Sequence, residues 1–193
     1  MKNLKRVFIS FICLFLLHSL AHGQYPTVCD IVPKTKIGAF EAKIGSVVIK
    51  SHSGVGHVDG EPGGAVIVES LEYRDVGTGQ KAYGIAIRLR KPGQVEEEHT
   101  SYIDYDEVDA LIKGLDYIDK LDSSGSQLPR FEGQYRTKDD LEIATFNDER
   151  GGLRAAVSSG LIGNITVIMR LENLQKLKEL IVYAKARLDS ARQ

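Results

Sequence analysis

The chain has 193 residues with 25 Lys and Arg against 26 Asp and Glu, a net charge of −1, and two cysteines. It lacks the basic excess that draws a protein to nucleic acid phosphates or an anionic membrane, and it is too poor in cysteine for a disulfide scaffold. A chain of this length can bury enough apolar surface to fold without staples.

Lys2, Lys5 and Arg6 open the sequence with no acid among them, and Val7 to Leu20 (VFISFICLFLLHSL) is apolar except for Ser10, His18 and Ser19. Those 14 residues fall short of the ~20 that span a bilayer. Ala21-His22-Gly23 then places small residues where signal peptidase reads, so residues 1–23 are expected to be a signal peptide cleaved before Gln24. The destination is outside the cytoplasm, periplasmic or extracellular, with no membrane insertion after cleavage. Cleavage removes three cations and no acid, leaving 22 against 26, a net charge of −4. It also removes Cys13, so Cys29 stays without a partner in its own chain and is read as a small apolar filler.

Residues 24–42 read as a polar lead-in. Residues 43–122 follow as a first unit of four strands and a helix, with strands expected at Lys43 to Lys50, Ala65 to Arg74, Tyr83 to Arg90 and His99 to Ile103. The third is the clearest, since Tyr83, Ile85, Ile87 and Leu89 alternate with Gly84, Ala86, Arg88 and Arg90. Between the first two lies SHSGVGHVDGEPGG, residues 51–64, read as a glycine-rich hairpin loop. A helix is expected from Tyr105 to Leu121 with the stripe Val108, Leu111, Leu115 and Ile118, capped by a box of Asp104 and Glu107.

After LDSSGSQLP, residues 130–193 repeat the pattern. Strands are expected at Arg130 to Arg136, Leu141 to Asn147, Leu153 to Ser159 and Asn164 to Met169. A helix from Leu171 to about Leu188 follows, striped by Leu174, Leu177, Ile181, Ala184 and Leu188. The fold class is therefore α+β with mainly antiparallel sheet, in two successive four-strand-plus-helix units. Sliding the second helix by 66 residues pairs Val108 with Leu174, Leu111 with Leu177 and Leu115 with Ile181, which makes a tandem duplication one reading of the order.

Two imidazoles and two carboxylates in the glycine-rich stretch, His52, His57, Asp59 and Glu61, are the candidate binding residues. Their types suit a divalent metal, but their spacing fits no zinc motif, and no metal or cofactor is expected. The chain has no G-x-S-x-G, H-E-x-x-H, Walker or mature C-x-x-C motif, and its glycines do not lead into a helix N-terminus as a phosphate cradle would. Asn164-Ile165-Thr166 is a glycosylation sequon, relevant only to a eukaryotic secretory route. From Glu96 to Asp122 ten acids face two lysines, whereas Arg170 to Arg192 holds six cations and three acids. The helices thus carry unlike fields, either as two solvated faces or as a pair.

The order of four strands and a helix, twice, resembles the topology of Whirly-type and purine-rich-element-binding single-stranded nucleic acid proteins. That resemblance implies nucleic acid binding, from which this chain departs: it has no Trp, an acidic first helix and a negative mature charge. The expectation is an exported, non-catalytic binding or interaction module whose partner is a protein or small molecule, with homo-oligomers left open. The alternative is an extracytoplasmic hydrolase or metal-dependent enzyme built on His52, His57 and Asp59.

Overall fold

A computed structural model describes residues 32–121, 128, 130–148, 150–161 and 163–193. Residues 1–23, expected above to be a signal peptide, lie outside the described residues with Gln24 and Cys29, as does most of LDSSGSQLP. Residues Pro33–Gln193 form one unit of two four-stranded antiparallel sheets. In the first, β1 (Val48–Asp59), β2 (Ala65–Asp75), β3 (Lys81–Lys91) and β4 (Glu97–Asp104) pair in chain order. In the second, β5 (Glu132–Arg136), β6 (Leu141–Asn147), β7 (Leu153–Ser159) and β8 (Ile165–Arg170) do the same. The α+β class and the antiparallel pairing expected from alternation are what the chain adopts.

Period-two patterning decides which way each strand faces. Val66, Val68, Ile85, Ile87, Leu89 and Ile103 from the first sheet meet Leu141, Ile143, Ala155, Val157, Val167 and Met169 from the second in one buried cluster. Two helices complete it. A 3-10 turn, Tyr105–Glu107, leads into α2 (Val108–Ile118), and α3 (Leu171–Ala191) ends the chain; α1 is introduced below. Their predicted stripes are buried: Val108, Leu111, Leu115 and Ile118 on α2, and Leu174, Leu177, Ile181, Ala184 and Leu188 on α3. Each helix crosses to the other sheet. The α2 helix lies on β5 and β6, and α3 lies chiefly on β1 and β2.

The opposite charges bring the helices together. Lys178 of α3 pairs with Asp116 of α2, and Lys185 reaches Asp109 at 3.6 Å. The helix-pairing reading of the charge pattern is therefore the one realised within the chain.

The capping box does not form. Asp104 turns its carboxylate to the backbone N–H groups of Lys36 at 2.8 Å and Ile37 at 3.2 Å, while Glu107 accepts the N–H of Lys138 at 2.9 Å. Two buried carboxylates find better partners on other segments than on their own helix. The N–H groups that Asp104 serves belong to α1 (Lys36–Glu41), a short helix within what reads as a polar lead-in. Thr35 caps it, accepting from Gly38 N–H at 3.0 Å. Ala82, Gly84 and Ala86 of β3 leave a shallow shelf on the outer face of the first sheet. There Ile37 is fully buried beside Leu71 and Tyr73, and a methyl group on Gly84 would stand 2.9 Å from Ile37 Cγ1. The small residues of a distant strand, not the composition of residues 24–42, create the docking place.

Candidate functional site

The glycine-rich stretch is not a loop. Residues 51–59 continue β1, and only residues 60–64 turn the chain into β2. The first strand thus begins five residues later and ends nine later than alternation in the sequence suggests. The ladder to β2 runs from Val48↔Asp75 to Asp59↔Ala65 and is interrupted once, by a bulge between Gly54 and Gly56. An edge strand tolerates glycine and a bulge because half of its backbone needs no ladder partner.

Packing explains the glycines better than ligand binding does. A methyl group at Gly56 would lie 2.8 Å from Leu180 Cδ2 on α3. At Gly60 it would lie 2.2 Å from Val167 Cγ1 and 2.8 Å from the Ile168 carbonyl on β8. Here the edge of the first sheet closes against the last helix and the second sheet, and the backbone must come within reach of both.

The four candidate residues do not converge. His57 stands 3.6 Å from Asp59, with both side chains largely in solvent. Glu61 leaves the strand altogether. Its N–H donates to the Ile168 carbonyl at 2.7 Å, and its carboxylate pairs with Arg154 and, at 3.7 Å, with Arg170. It is a stitch from the β1–β2 turn to the second sheet, so its charge is already answered. His52 lies at the other end of the strand, its ring 5.8 Å from that of Tyr73. Among the described residues, no group of three or more His, Cys, Asp and Glu side chains is placed to hold a metal ion.

What His52 does border is a cavity of about 240 Å³ between the β1 edge and the last turns of α3. Ser53, Ser70, Leu71, Arg187 and Leu188 share its lining, as does Glu72, whose carboxylate pairs with Lys81 at 2.7 Å. Arg187 is held at its rim by Ser53 Oγ and by the Gly54 carbonyl at 3.1 Å, with its guanidinium 4.9 Å from the centre of the Tyr183 ring. Ser70 donates to the Ala184 carbonyl at 3.2 Å. Apolar walls with a guanidinium held beside the Ser53 hydroxyl suit a small ligand that has an apolar body and an anionic or hydroxylated head. Residue order gives no hint of this site, because its two walls lie over 100 residues apart.

A second constellation was equally hidden. His99 Nδ1 and Ser159 Oγ share a hydrogen bond of 2.6 Å, and Ser159 Oγ shares another of 2.6 Å with Ser101 Oγ. Nearby, Asp139 accepts the Tyr102 N–H at 2.8 Å. Burial pushes its carboxyl above the usual aspartate range, partly offset by that hydrogen bond. A serine beside an imidazole is the raw material of nucleophilic catalysis, yet Ser101 and Ser159 are fully buried. No reacting carbonyl reaches Ser159 without parting β4 from β7, so the chain of hydroxyls acts as a polar clip between the sheets. Parity in β4 carried the signal: His99 and Ser101 alternate with Thr100 and Tyr102 and share the core face of Ile103.

Beyond these groups, no helix among the described residues is long and apolar enough to cross a membrane. Compared with known protein families, curated proteins and solved structures, the chain matches none.

Proposed function

We propose that the mature chain is an exported, non-catalytic binding module that works in the periplasm or outside the cell and takes a small ligand at the cavity beside the edge of its first sheet. The cavity bordered by His52 and Arg187 carries this reading. It offers a guanidinium, two serine hydroxyls and an apolar wall in about 240 Å³, enough for a small organic anion. The basic leader, apolar run and Ala-x-Gly ending support export, and the mature charge of −4 supports a partner other than nucleic acid.

Two measurements test it. Mass spectrometry of the exported protein is expected to find an N-terminus at Gln24; recovery of intact Met1 protein from the membrane fraction would defeat the export reading. For the ligand, a library of small carboxylates is screened by amide shifts on the labelled mature protein. Binders are expected to move Ser53, Ser70 and Leu188 together, and Arg187→Ala is expected to abolish the shifts. Hydrolysis of a model ester or peptide that is lost in His52→Ala with His57→Ala would instead favour the enzyme alternative.

A further inference from the structure

The two ends of β1 are treated differently. Over its second half, α3 covers the outer edge: Arg187 donates to the Gly54 carbonyl at 3.1 Å and Asn173 Nδ2 to the Asp59 carbonyl at 3.0 Å. Both carbonyls point away from β2. The bulge at Gly54/Gly56 also spoils the regular spacing that a foreign strand would need. Over the first half nothing comparable occurs. Among the described residues, no hydrogen bond other than the ladder to β2 reaches the backbone of Ile49, Lys50, Ser51 or His52.

Large apolar side chains surround that open half. Ile44 is 96% exposed, Val47 70%, and Ile49 and Val76 51% each. Val47 and Val76 are neighbours, since Val76 N–H donates to the Val47 carbonyl at 2.9 Å, and Ile49 lies two residues further along, paired with Arg74. Soluble proteins normally guard a strand edge with charge, proline, a bulge or a covering element. Here the guard stops at Gly54, and the one charge on the open half, Lys50, is bound to Glu41 of α1.

We infer that the first half of β1 is the contact surface for a second copy of this chain, joined antiparallel through Val47 to His52 so that two four-stranded sheets become one of eight. An antiparallel strand pair is two-fold by construction, and a two-fold axis is the commonest way for identical chains to associate. With the axis at Ile49, the two Ile49 side chains meet and Val47 of each copy lies opposite Ser51 of the other. Each Lys50 faces Val48 of the other copy, which avoids the like-charge opposition that an axis one residue later would impose. This surface meets the cavity at one end, where Ser51 and His52 line both, whereas Ile44, Val47, Ile49 and Val76 of the apolar patch do not line the cavity.

Sedimentation of the exported protein over the micromolar to millimolar range tests the inference, together with hydrogen exchange at both ends of that range. The expected result is a reversible dimer whose amides at Ile49 to His52 exchange more slowly at high concentration. Ile49→Lys is expected to weaken it by about tenfold or more, because two charges would then face each other across the axis. Val182→Lys, on the exposed face of α3, is expected to leave it unchanged. Val47→Lys repeats the test should Ile49→Lys disturb folding, which a thermal melt detects. A monomer throughout the range, with exchange at Ile49 to His52 independent of concentration, would overturn the proposal. So would a dimer broken by Val182→Lys and indifferent to Ile49→Lys. Ligand shifts at Ser53, Ser70 and Leu188 in a monomeric protein would leave the cavity reading standing while this one falls.

Discussion

The two halves of the chain share an order of elements and differ in how much strand they spend on it. In the first half the strands run 12, 11, 11 and 8 residues; in the second, 5, 7, 7 and 6. The helical stripes nonetheless correspond position for position at a spacing of 66. Val108, Leu111, Leu115 and Ile118 are buried like Leu174, Leu177, Ile181 and Ala184, while Tyr117 and Tyr183 both stand exposed. The common core is thus set by the helices and the middle of each strand. What the first half adds, a long β1, a bulge, a shelf for α1 and a cavity, lies on the outer face and open edge of its sheet, and the candidate surfaces are found there.

If the stripes are equivalent, truncating them should cost the same in both halves. Leu111→Ala and Leu177→Ala, each fully buried, are expected to lose about 2 to 5 kcal/mol apiece, a large part of the stability of such a domain. Chemical denaturation measures both, and a silent Leu177→Ala would break the equivalence. Within β1 the comparison sharpens. Gly60→Ala drives a methyl group into Val167 and the Ile168 carbonyl and is expected to cost about 1 to 3 kcal/mol. Gly54→Ala, with nothing within 4 Å of the new atom, is expected to stay within about 0.5 kcal/mol by the same assay.

A subtler effect belongs to Glu107, which the first half buries at the start of α2 with one carboxylate oxygen unpartnered. Burial raises its pKa above the ordinary 4.5, against the lowering effect of the Lys138 N–H. A raised carboxyl favours the folded state below the ordinary value and loses that contribution as pH climbs through the raised one. Glu107→Gln has no such loss, so its stability relative to the parent is expected to rise between about pH 4 and about pH 8. Urea midpoints at several pH values read this, and a difference that is flat or falls with pH would contradict the assignment. The smallest effects are expected on the charged faces. Lys176 is exposed with no ion pair among the described residues, and Asp109 meets Lys185 only at 3.6 Å with most of its side chain in water. Asp109→Ala and Lys176→Ala should each stay within about half a kcal/mol in chemical denaturation. Larger losses would make the α2–α3 charge pairing a structural requirement that the exposure of these groups argues against.

Periodic segments were legible because a strand or helix with one wet face writes that face into its residues. Tyr83 to Arg90 and the two helical stripes lie where alternation and three-four spacing put them. Residues 51–59 were misread because their glycines answer to Leu180 on α3 and to the second sheet, neighbours that local pattern does not contain. Asp104 and Glu107 had the spacing of a cap, yet tertiary partners on α1 and at Lys138 outcompeted it. Of the four candidate binding residues, His52 borders the cavity, His57 and Asp59 share a solvated strip, and Glu61 serves the second sheet. Arg187 and Ser70, which line the same cavity, could be paired only by knowing that α3 crosses to β1 and β2.

That crossing has a consequence in time as well as in space. The wall that seals the first sheet is made of residues 174 to 188, synthesised after strands β1 to β8, and the wall for the second sheet comes from the half before it. A chain delivered from its N-terminus has the cover of its second sheet in hand early but cannot close its first sheet until residues 174 to 188 arrive. Its strand ladders all join neighbours in the chain, and it is the helix cover of the first sheet that comes from a distant segment. For the exported route proposed above this is an asset: a first sheet left uncovered until residues 174 to 188 appear is easier to thread through a narrow channel and to assemble on the far side. Loss of the last two turns, which carry Leu188, would leave the first sheet unsealed and the whole chain stranded short of its native state.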